Sequence, residues 1–489
     1  MRTWDLVLPV ERANGSALFL QIARGIAEHI RTGRLRPGDP IPGTRSLART
    51  LGVHRNTVIA ACRELTAEGW LTSHPARGTF VSRALPDPAP RPFTSVVRPL
   101  APAAAPMRPP YPLRPAPPPW LTMNAPPGAT MLIGGKPDLS LVPTTALARA
   151  YRRTLKRSGA DVLGYGDPRG HERLRAAIAS MLASTRGLPV TSEEVLITRG
   201  SQMAVFVIAR TLFGPGDVIA IESLGYVPAW ETLRSTGARL VPVPVDESGL
   251  QVDALERLMK RERVRAVYLT PHHQYPTTVT LSPGRRIELL ELARRRRLAI
   301  IEDDYDHEFH FDGRPILPLA SSDRTGRVVY LGTLSKVLAP GLRIGYVVAP
   351  APVIKRMGEH RTFVDISGDH AMECAVAELF EDGEMQRHTR RARRIYMARR
   401  DALVTALRTH LAGVLSFEVP TGGMALWARA AKSVRVDAWA ERCAAVGVRF
   451  QPGRQFAFDR RSVPCVRLGF APVGELEIEG AVRKMASAL

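Results

Sequence analysis

Ser335-Lys336 follows the short apolar run Arg327–Gly332, and Arg343 stands seven residues further on. The chain has only seven lysines, so an amine set directly behind a strand-like run and two hydroxyl residues stands out. A primary amine suits Schiff-base chemistry, while Thr333, Ser335 and Arg343 supply the donors and the cation that a phosphate needs. Asp303 lies 33 residues before the lysine, in Glu302-Asp303-Asp304-Tyr305. A carboxylate facing a pyridine nitrogen keeps that ring protonated and makes it an electron sink. The set suits pyridoxal 5'-phosphate.

Other segments fit the same anionic, aromatic ligand. Thr198-Arg199-Gly200-Ser201-Gln202 lies between a strand and a helix, where backbone N–H groups and a helix N-terminus bind phosphate. Taken alone, such a junction also reads as an ordinary turn. Tyr226 is placed to stack on a flat ring, although a lone tyrosine also reads as core or surface. Asp303 and Tyr305 close a strand, and in an open α/β sheet ligands sit at the carboxyl ends of strands. Acidic strand ends also hold metals, but His307 and His310 lack ligand spacing around them, so no metal is expected.

The elements that must carry these residues are visible as alternating short apolar runs and helical patterns. The runs are Val195–Thr198, Asp217–Glu222, Arg239–Val245, Ala266–Thr270, Leu298–Asp303, Val328–Gly332 and Gly345–Ala349. This alternation predicts a mostly parallel α/β sheet within residues 128–489. From about residue 370, Arg/Ala-rich helical patterns precede short strands such as Val466–Phe470, which predicts a smaller α+β part. Roughly a third of residues 84–127 are proline, which predicts an extended or unfolded tether and not a packed element.

Residues 1–83 read differently. Leu18, Ile22, Ile26 and Ile30 share one helical face. Thr44 is placed to cap a short helix carrying Leu47, Ala48 and Leu51, which Gly52 ends. Arg55-Asn56-Thr57 opens a second helix whose Val58, Ala61, Leu65 and Ala67 face inward. Leu71–Val81, with His74-Pro75-Ala76-Arg77-Gly78 at its tip, reads as a hairpin wing. Two short helices with a glycine turn, the second opening on polar side chains, make a helix-turn-helix pattern. By spacing alone an interaction module with solvated arginines fits as well.

Composition sets the outer bounds. The net charge of +22 invites a nucleic-acid partner. It does not locate one, because residues 1–83 carry 12 Arg against 6 acidic residues and the rest of the chain is also basic. Cys62, Cys374, Cys443 and Cys465 form neither a metal-like pair nor a disulfide framework, which fits a reducing compartment. No apolar run approaches the length of a membrane span and no signal-peptide pattern opens the chain. A cytoplasmic protein with no membrane association is expected.

Two resemblances sharpen this reading. Leu20-Gln21-Ile22-Ala23, Gly33-Arg34-Leu35, Leu51-Gly52-Val53, Arg55-Asn56-Thr57-Val58, Glu68-Gly69-Trp70-Leu71 and Arg77-Gly78-Thr79-Phe80-Val81 resemble the winged helix-turn-helix of GntR-type regulators. The resemblance implies that Arg45, Arg49, Arg55, Asn56, Thr57, Arg77 and Gly78 meet double-stranded operator DNA. His54 stands where that family often has serine. Gly164-Tyr165-Gly166-Asp167-Pro168, Gly200-Ser201-Gln202, Glu302-Asp303-Asp304-Tyr305 and Thr333-Leu334-Ser335-Lys336 with Arg343 resemble the fold type I aminotransferases.

That second resemblance implies Lys336 as the Schiff-base residue, Asp303 on the pyridine nitrogen, Tyr305 on the ring hydroxyl and Tyr226 stacked on the ring. It implies Arg343, Ser335, Thr333 and the Gly200, Ser201 and Gln202 amides on the phosphate, with Tyr165 reaching the neighbouring subunit of a homodimer. Arg467 falls where the family grips a carboxylate. The usual Asn-Pro-Thr-Gly is replaced by His272-His273-Gln274-Tyr275-Pro276-Thr277-Thr278, without the asparagine. Over nearly its whole length the chain resembles MocR-type regulators. The expectation is a pyridoxal-phosphate-dependent transcriptional regulator that senses the cofactor or an amine or amino-acid effector. An active aminotransferase with an accessory DNA-binding domain is the alternative.

Overall fold

The computed structural model describes residues 8, 10, 17–75, 77–86, 111–113, 128–313 and 316–489. The proline-rich segment expected at 84–127 lies outside the described residues except for 84–86 and 111–113, and Ala76 of the wing tip also lies outside them. The chain divides into two compact units, Met1–Pro115 and Ala116–Leu489.

In the first unit, α1 (Leu18–Arg31) precedes β1 (Pro40–Ile41), α2 (Thr44–Thr50), α3 (Arg55–Ala67), β2 (Leu71–His74) and β3 (Gly78–Val81). The i, i+4 spacing of Ile22, Ile26 and Ile30 turns all three into one core with Leu47, Val58, Leu65, Leu71 and Val81. The wing is a three-stranded antiparallel sheet in the order β1-β3-β2, because Pro40 and Ile41 add a strand to the expected hairpin.

Three details differ from expectation. Gly43 occupies the cap position of α2, and Thr44 is its first helical residue. The Thr44 hydroxyl instead accepts a hydrogen bond from Arg55 Nε at 3.3 Å. His54 caps α3, its Nδ1 accepting the Asn56 N–H at 3.3 Å. Imidazole thus takes over the serine's local task. Ala67 is exposed, because the last turn of α3 runs past the end of the core.

The larger unit opens with β4 (Thr130–Leu132), α4 (Thr144–Leu163) and α5 (Glu172–Arg186). There follow β5 (Val195–Thr198), α6 (Ser201–Leu212), β6 (Val218–Glu222), α7 (Val227–Arg234) and β7 (Arg239–Val243). A small hairpin, β8 (Val245–Asp246) with β9 (Gly249–Leu250), leads to α8 (Val252–Arg261), β10 (Val264–Leu269), α9 (Pro283–Arg296) and β11 (Ala299–Asp304). Next come α10 (Leu319–Ser322), β12 (Val328–Thr333), β13 (Gly345–Val348), α11 (Ala351–Thr362), α12 (His370–Glu381) and α13 (Glu384–His410). The chain finishes with β14 (Leu415–Ser416), β15 (Ala425–Ala430), α14 (Val436–Ala445), β16 (Val448–Pro452), β17 (Cys465–Gly469) and α15 (Glu475–Ser487).

All seven predicted runs are strands of one sheet, ordered β5-β13-β12-β11-β10-β6-β7. Only β13 is antiparallel to its neighbours. Strands such as β5, β6 and β12 are buried at every residue, as expected where helices cover both faces of a parallel sheet. A second sheet, ordered β14-β15-β17-β16-β4, packs with α13, α14 and α15 around Leu132, Leu407, Leu426, Trp439, Leu468 and Val482. The change from one core to the other falls inside α13: Met385 packs with the first, while residues from Ala392 onward pack with the second. α12, near the expected start of the smaller part, packs on α4 and α5 of the first. The second sheet also takes β4 from the opposite end of the unit, a pairing with no local sequence signal.

Ile22 is fully buried in the first unit's own core. Ile22→Ala is expected to destabilise that unit by about 2–5 kcal/mol, leaving the larger unit's transition in place. Scanning calorimetry of the full chain checks this, and a shift of the larger unit's transition by the same amount contradicts it.

Candidate cofactor site and DNA-facing surface

The carboxyl ends of the parallel strands bring the expected residues together. β11 ends in Glu302-Asp303-Asp304, whose side chains alternate between opposite faces of the sheet. Glu302 accepts the Leu319 and Ala320 N–H groups at 2.7 and 2.9 Å. Asp304 accepts from the Tyr330 hydroxyl at 2.8 Å and lies 3.0 Å from His307 Nδ1. Asp303 alone turns to the site. Its Oδ2 accepts from the Tyr268 hydroxyl at 2.6 Å, while its buried Oδ1 has no hydrogen-bond partner among the described residues. Burial raises its pKa to about 7, with the Tyr268 hydrogen bond and Lys336 opposing that rise.

Lys336 follows β12, whose end is tied by the Ser335 N–H donating to Thr333 Oγ1 at 3.1 Å. Its Nζ donates to Gly135 O at 2.6 Å, in the segment just after β4. Burial, then the nearby Arg467 charge, lower the ammonium pKa to about 8, against attraction from Asp306 and Asp303. A neutral amine is therefore available near neutral pH, as nucleophilic chemistry requires.

The phosphate-like corner is built by the β5–α6 junction and the loop before β13. Gly200 caps α6 at φ +77°, and a side-chain carbon there would come within 2.9 Å of the Arg343 guanidinium. Arg343 is exposed and donates from Nη2 to Arg199 O at 2.8 Å. The open N–H groups of Ser201 and Gln202 and this cation make an anion cradle. Because β13 runs antiparallel, its start and not its end lies at this edge, which delivers Arg343 to the helix N-terminus.

An aromatic wall closes the other side. The Tyr275 ring lies 5.5 Å from Tyr226, 5.9 Å from Tyr305 and 5.5 Å from Phe456, each near perpendicular. Arg467 stands over Tyr275 at 4.4 Å from its centroid, a cation–π contact. The buried Arg467 Nε and Nη1 and the Tyr305 hydroxyl lack hydrogen-bond partners among the described residues. Trp427 and Gln451 stand directly opposite Arg467 on its two neighbouring strands, and so share its face. Gln451 is buried, and its amide meets the Tyr275 hydroxyl. Trp427, Gln451, Tyr268 and Gly135 were not singled out from sequence; only contacts across distant segments assign them to the site. Tyr165 does not join this group in the single chain and is 87% exposed.

In the first unit, Arg45, Arg49, Arg55, Asn56, Arg77 and Gly78 are exposed and Thr57 is half-buried. No ion pair ties these arginines to a carboxylate among the described residues. They lie on α2, at the start of α3 and at the wing tip, the three places from which a winged helix-turn-helix touches a duplex. Gly78 has φ +103°, which a side chain would strain.

Residues 135–485 match the family described as "Aminotransferase class I and II", and residues 18–81 match "Bacterial regulatory proteins, gntR family". The chain is 32% identical to the "Probable rhizopine catabolism regulatory protein MocR" of Rhizobium meliloti, over 99% of this chain and 96% of that protein. It is 34% identical to the "HTH-type transcriptional regulator TauR" of Rhodobacter capsulatus, over 99% and 100%. Among solved structures, the alpha-aminoadipate aminotransferase LysN of Thermus thermophilus, complexed with N-(5'-phosphopyridoxyl)-L-leucine, superposes with a TM-score of 0.69. That pair shares 31% identity over 74% of this chain and 92% of the other. Among the described residues, no helix is long and apolar enough to cross a membrane.

The lowered ammonium pKa gives a test that needs no cofactor. In cofactor-free protein, acylation of Lys336 by a small neutral reagent, mapped by mass spectrometry, is expected to reach half its limiting rate near pH 8. Surface lysines are expected to titrate near about pH 10.4. Half-maximal labelling of Lys336 above about pH 10 contradicts the assignment.

Proposed function

The chain belongs to the aminotransferase class I and II family and joins to it an N-terminal domain of the bacterial regulatory gntR family, in the MocR-like arrangement; from this we propose that it is a transcriptional regulator whose larger unit holds pyridoxal 5'-phosphate. The carrying observation is the meeting of Lys336, Asp303 and the Gly200–Arg343 cradle at one sheet edge. The residues fit the group: Asp303 Oδ1 and the Tyr305 hydroxyl are buried polar atoms without partners among the described residues, and the cradle narrows at Gly200, where a side chain would strike Arg343. When bound, the group supplies an aldehyde carbon that captures primary amines and an electron-withdrawing ring.

The chain's own residues divide the remaining work. Lys336 Nζ, released from Gly135 O, is the amine that bonds the cofactor. Asp303, held by Tyr268, would keep a proton on the pyridine nitrogen, and the unpaired Tyr305 hydroxyl would be the donor to the ring hydroxyl. Thr333, Ser335, Arg343 and the Gly200, Ser201 and Gln202 amides hold the phosphate. Tyr226 and Tyr275 shape the space around the ring. Tyr165, exposed on one chain, reaches the site of a second copy in a homodimer. Arg467, with unpaired donors beside Gln451 and Trp427, takes the anionic end of an amine or amino-acid effector.

Regulation requires that this ligand bind one arrangement of the protein better than another. The DNA-reading side chains are Arg45, Arg49, Arg55, Asn56, Thr57 and Arg77, with Gly78 letting the wing approach the duplex. Tyr275 fills the place where aminotransferases usually carry asparagine, and its ring faces other aromatics and Arg467. Hydrogen bonding at the ring hydroxyl is therefore left to Tyr305, which favours sensing over turnover.

Two variants separate the halves of this reading. Lys336→Ala is expected to remove the visible absorbance of the lysine-bound cofactor while leaving a folded protein; an unchanged spectrum rejects Lys336. Arg55→Ala is expected to keep that absorbance but lose about 1–3 kcal/mol of operator discrimination. Wild-type affinity in a mobility-shift titration at matched salt rejects the DNA assignment.

The alternative reading is tested by mixing the purified protein with amino acids and a keto-acid acceptor. Spectral change without accumulating product is expected. Sustained product formation at about 1 per second or faster establishes an active aminotransferase instead.

A further inference from the structure

Behind the aromatic wall, two loops bring four histidines into one buried cluster. His272 and His273 come from the segment after β10, and His307 and His310 from the segment after β11. The His272 ring lies 4.4 Å from His273, 4.4 Å from His307 and 6.4 Å from His310, centroid to centroid. His272 is only 4% exposed, yet neither of its ring nitrogens has a hydrogen-bond partner among the described residues. Half-buried His310 meets the Asp312 backbone, which leaves one of its ring nitrogens open. Leaving one buried polar group unpaired costs about 1–3 kcal/mol, so the space around His272 calls for an occupant. Ligand atoms of His272, His273 and His310 lie within 4.8 Å of one another.

From this we infer a zinc site formed by His272, His273 and His310. Neutral imidazole suits zinc, with bonds of about 2.0–2.1 Å, and ligand atoms within 4.8 Å of one another can converge on one ion. His273 is already arranged as a metal-bound histidine. Its Nδ1 meets Asp306 Oδ1 at 2.8 Å, leaving Nε2 for the ion, and a carboxylate behind a ligating imidazole fixes the ring and raises its basicity. Negative charge is close by, since Asp304 and Asp306 are both buried beside the rings. His310, together with His307, also lines a cavity of about 260 Å³. The three ligands leave a fourth position for water or a small anion.

Local spacing around His307 and His310 predicts no metal, because the completing ligands come from a segment more than thirty residues earlier. The site's role follows from what it joins. His272 and His273 lead into Tyr275, and the 304–310 stretch follows Asp303 and carries Tyr305. A bound ion cross-links the two loops that form the aromatic side of the cofactor site, and it does so whether or not the cofactor is present.

The test uses the full chain with zinc alone as the probe. After chelator treatment, one equivalent of zinc sulfate and gel filtration, wild-type protein is expected to retain about one zinc per chain. X-ray absorption is expected to show a shell of imidazole nitrogens, a readout that needs no variant. His310→Gln is expected to weaken zinc binding by roughly 100-fold or more, Asp306→Asn about 10–100-fold, and the control His360→Gln not at all. Circular dichroism verifies that each variant is folded. Wild-type protein retaining less than about a tenth of an equivalent overturns the inference, and the buried nitrogens then meet water. Equal zinc content in wild type and folded His310→Gln, or a shell of oxygen only, overturns it as well.

Discussion

Taking a carboxylate out of water is costly unless its neighbours hold the charge, and β11 ends with three in succession at the centre of a sheet covered on both faces. Much of the larger unit is arranged around that cost. Glu302 is neutralised by two backbone amides, and Asp304 by a tyrosine hydroxyl, a histidine and the buried Arg186. Asp303 is only half satisfied by Tyr268. Its remaining oxygen has no hydrogen-bond partner among the described residues, and the charge of Lys336 opposes the rise in its pKa. The other site residues can be read as consequences: strands that end at the same edge, a reversed strand that returns an arginine to it, and aromatics that keep water away.

The two units embody different physics. In the larger one, charge is buried and each group needs a specific partner. In the smaller one, the arginines of α2, α3 and the wing stay in water, where a charge costs little to maintain and is free to meet phosphate. His54 illustrates the economy of the small unit, since one imidazole both replaces the common serine and satisfies an N–H at the start of α3.

The fold was legible in sequence where burial leaves a local trace. Strands covered on both faces read as unbroken apolar runs, so all seven strands of the large sheet were visible, with ends off by only a residue or two. Lys336, Asp303 and Arg343 stood out because each stands beside a strand end in a distinctive local run. What escaped notice depends on distant segments meeting: Tyr268 with Asp303, Gly135 with Lys336, the two pairs of histidines, and β4 beside β16. Thr44 shows the opposite error, in which a residue suited to capping is displaced one position by a glycine whose backbone already has the required geometry.

The position of β4 bears on what a ligand in the site would touch. It is the edge strand of the second sheet, one strand from Gln451 and two from Arg467, and it is the first strand after the proline-rich stretch. Within a few residues the same segment packs Gly134 against Arg467 and lends the Gly135 carbonyl to Lys336. A ligand that draws Lys336 away and engages Arg467 therefore acts at two points on the segment that directly follows β4. Occupancy of the ligand site is thereby registered at the edge of the second sheet, one strand beyond Gln451.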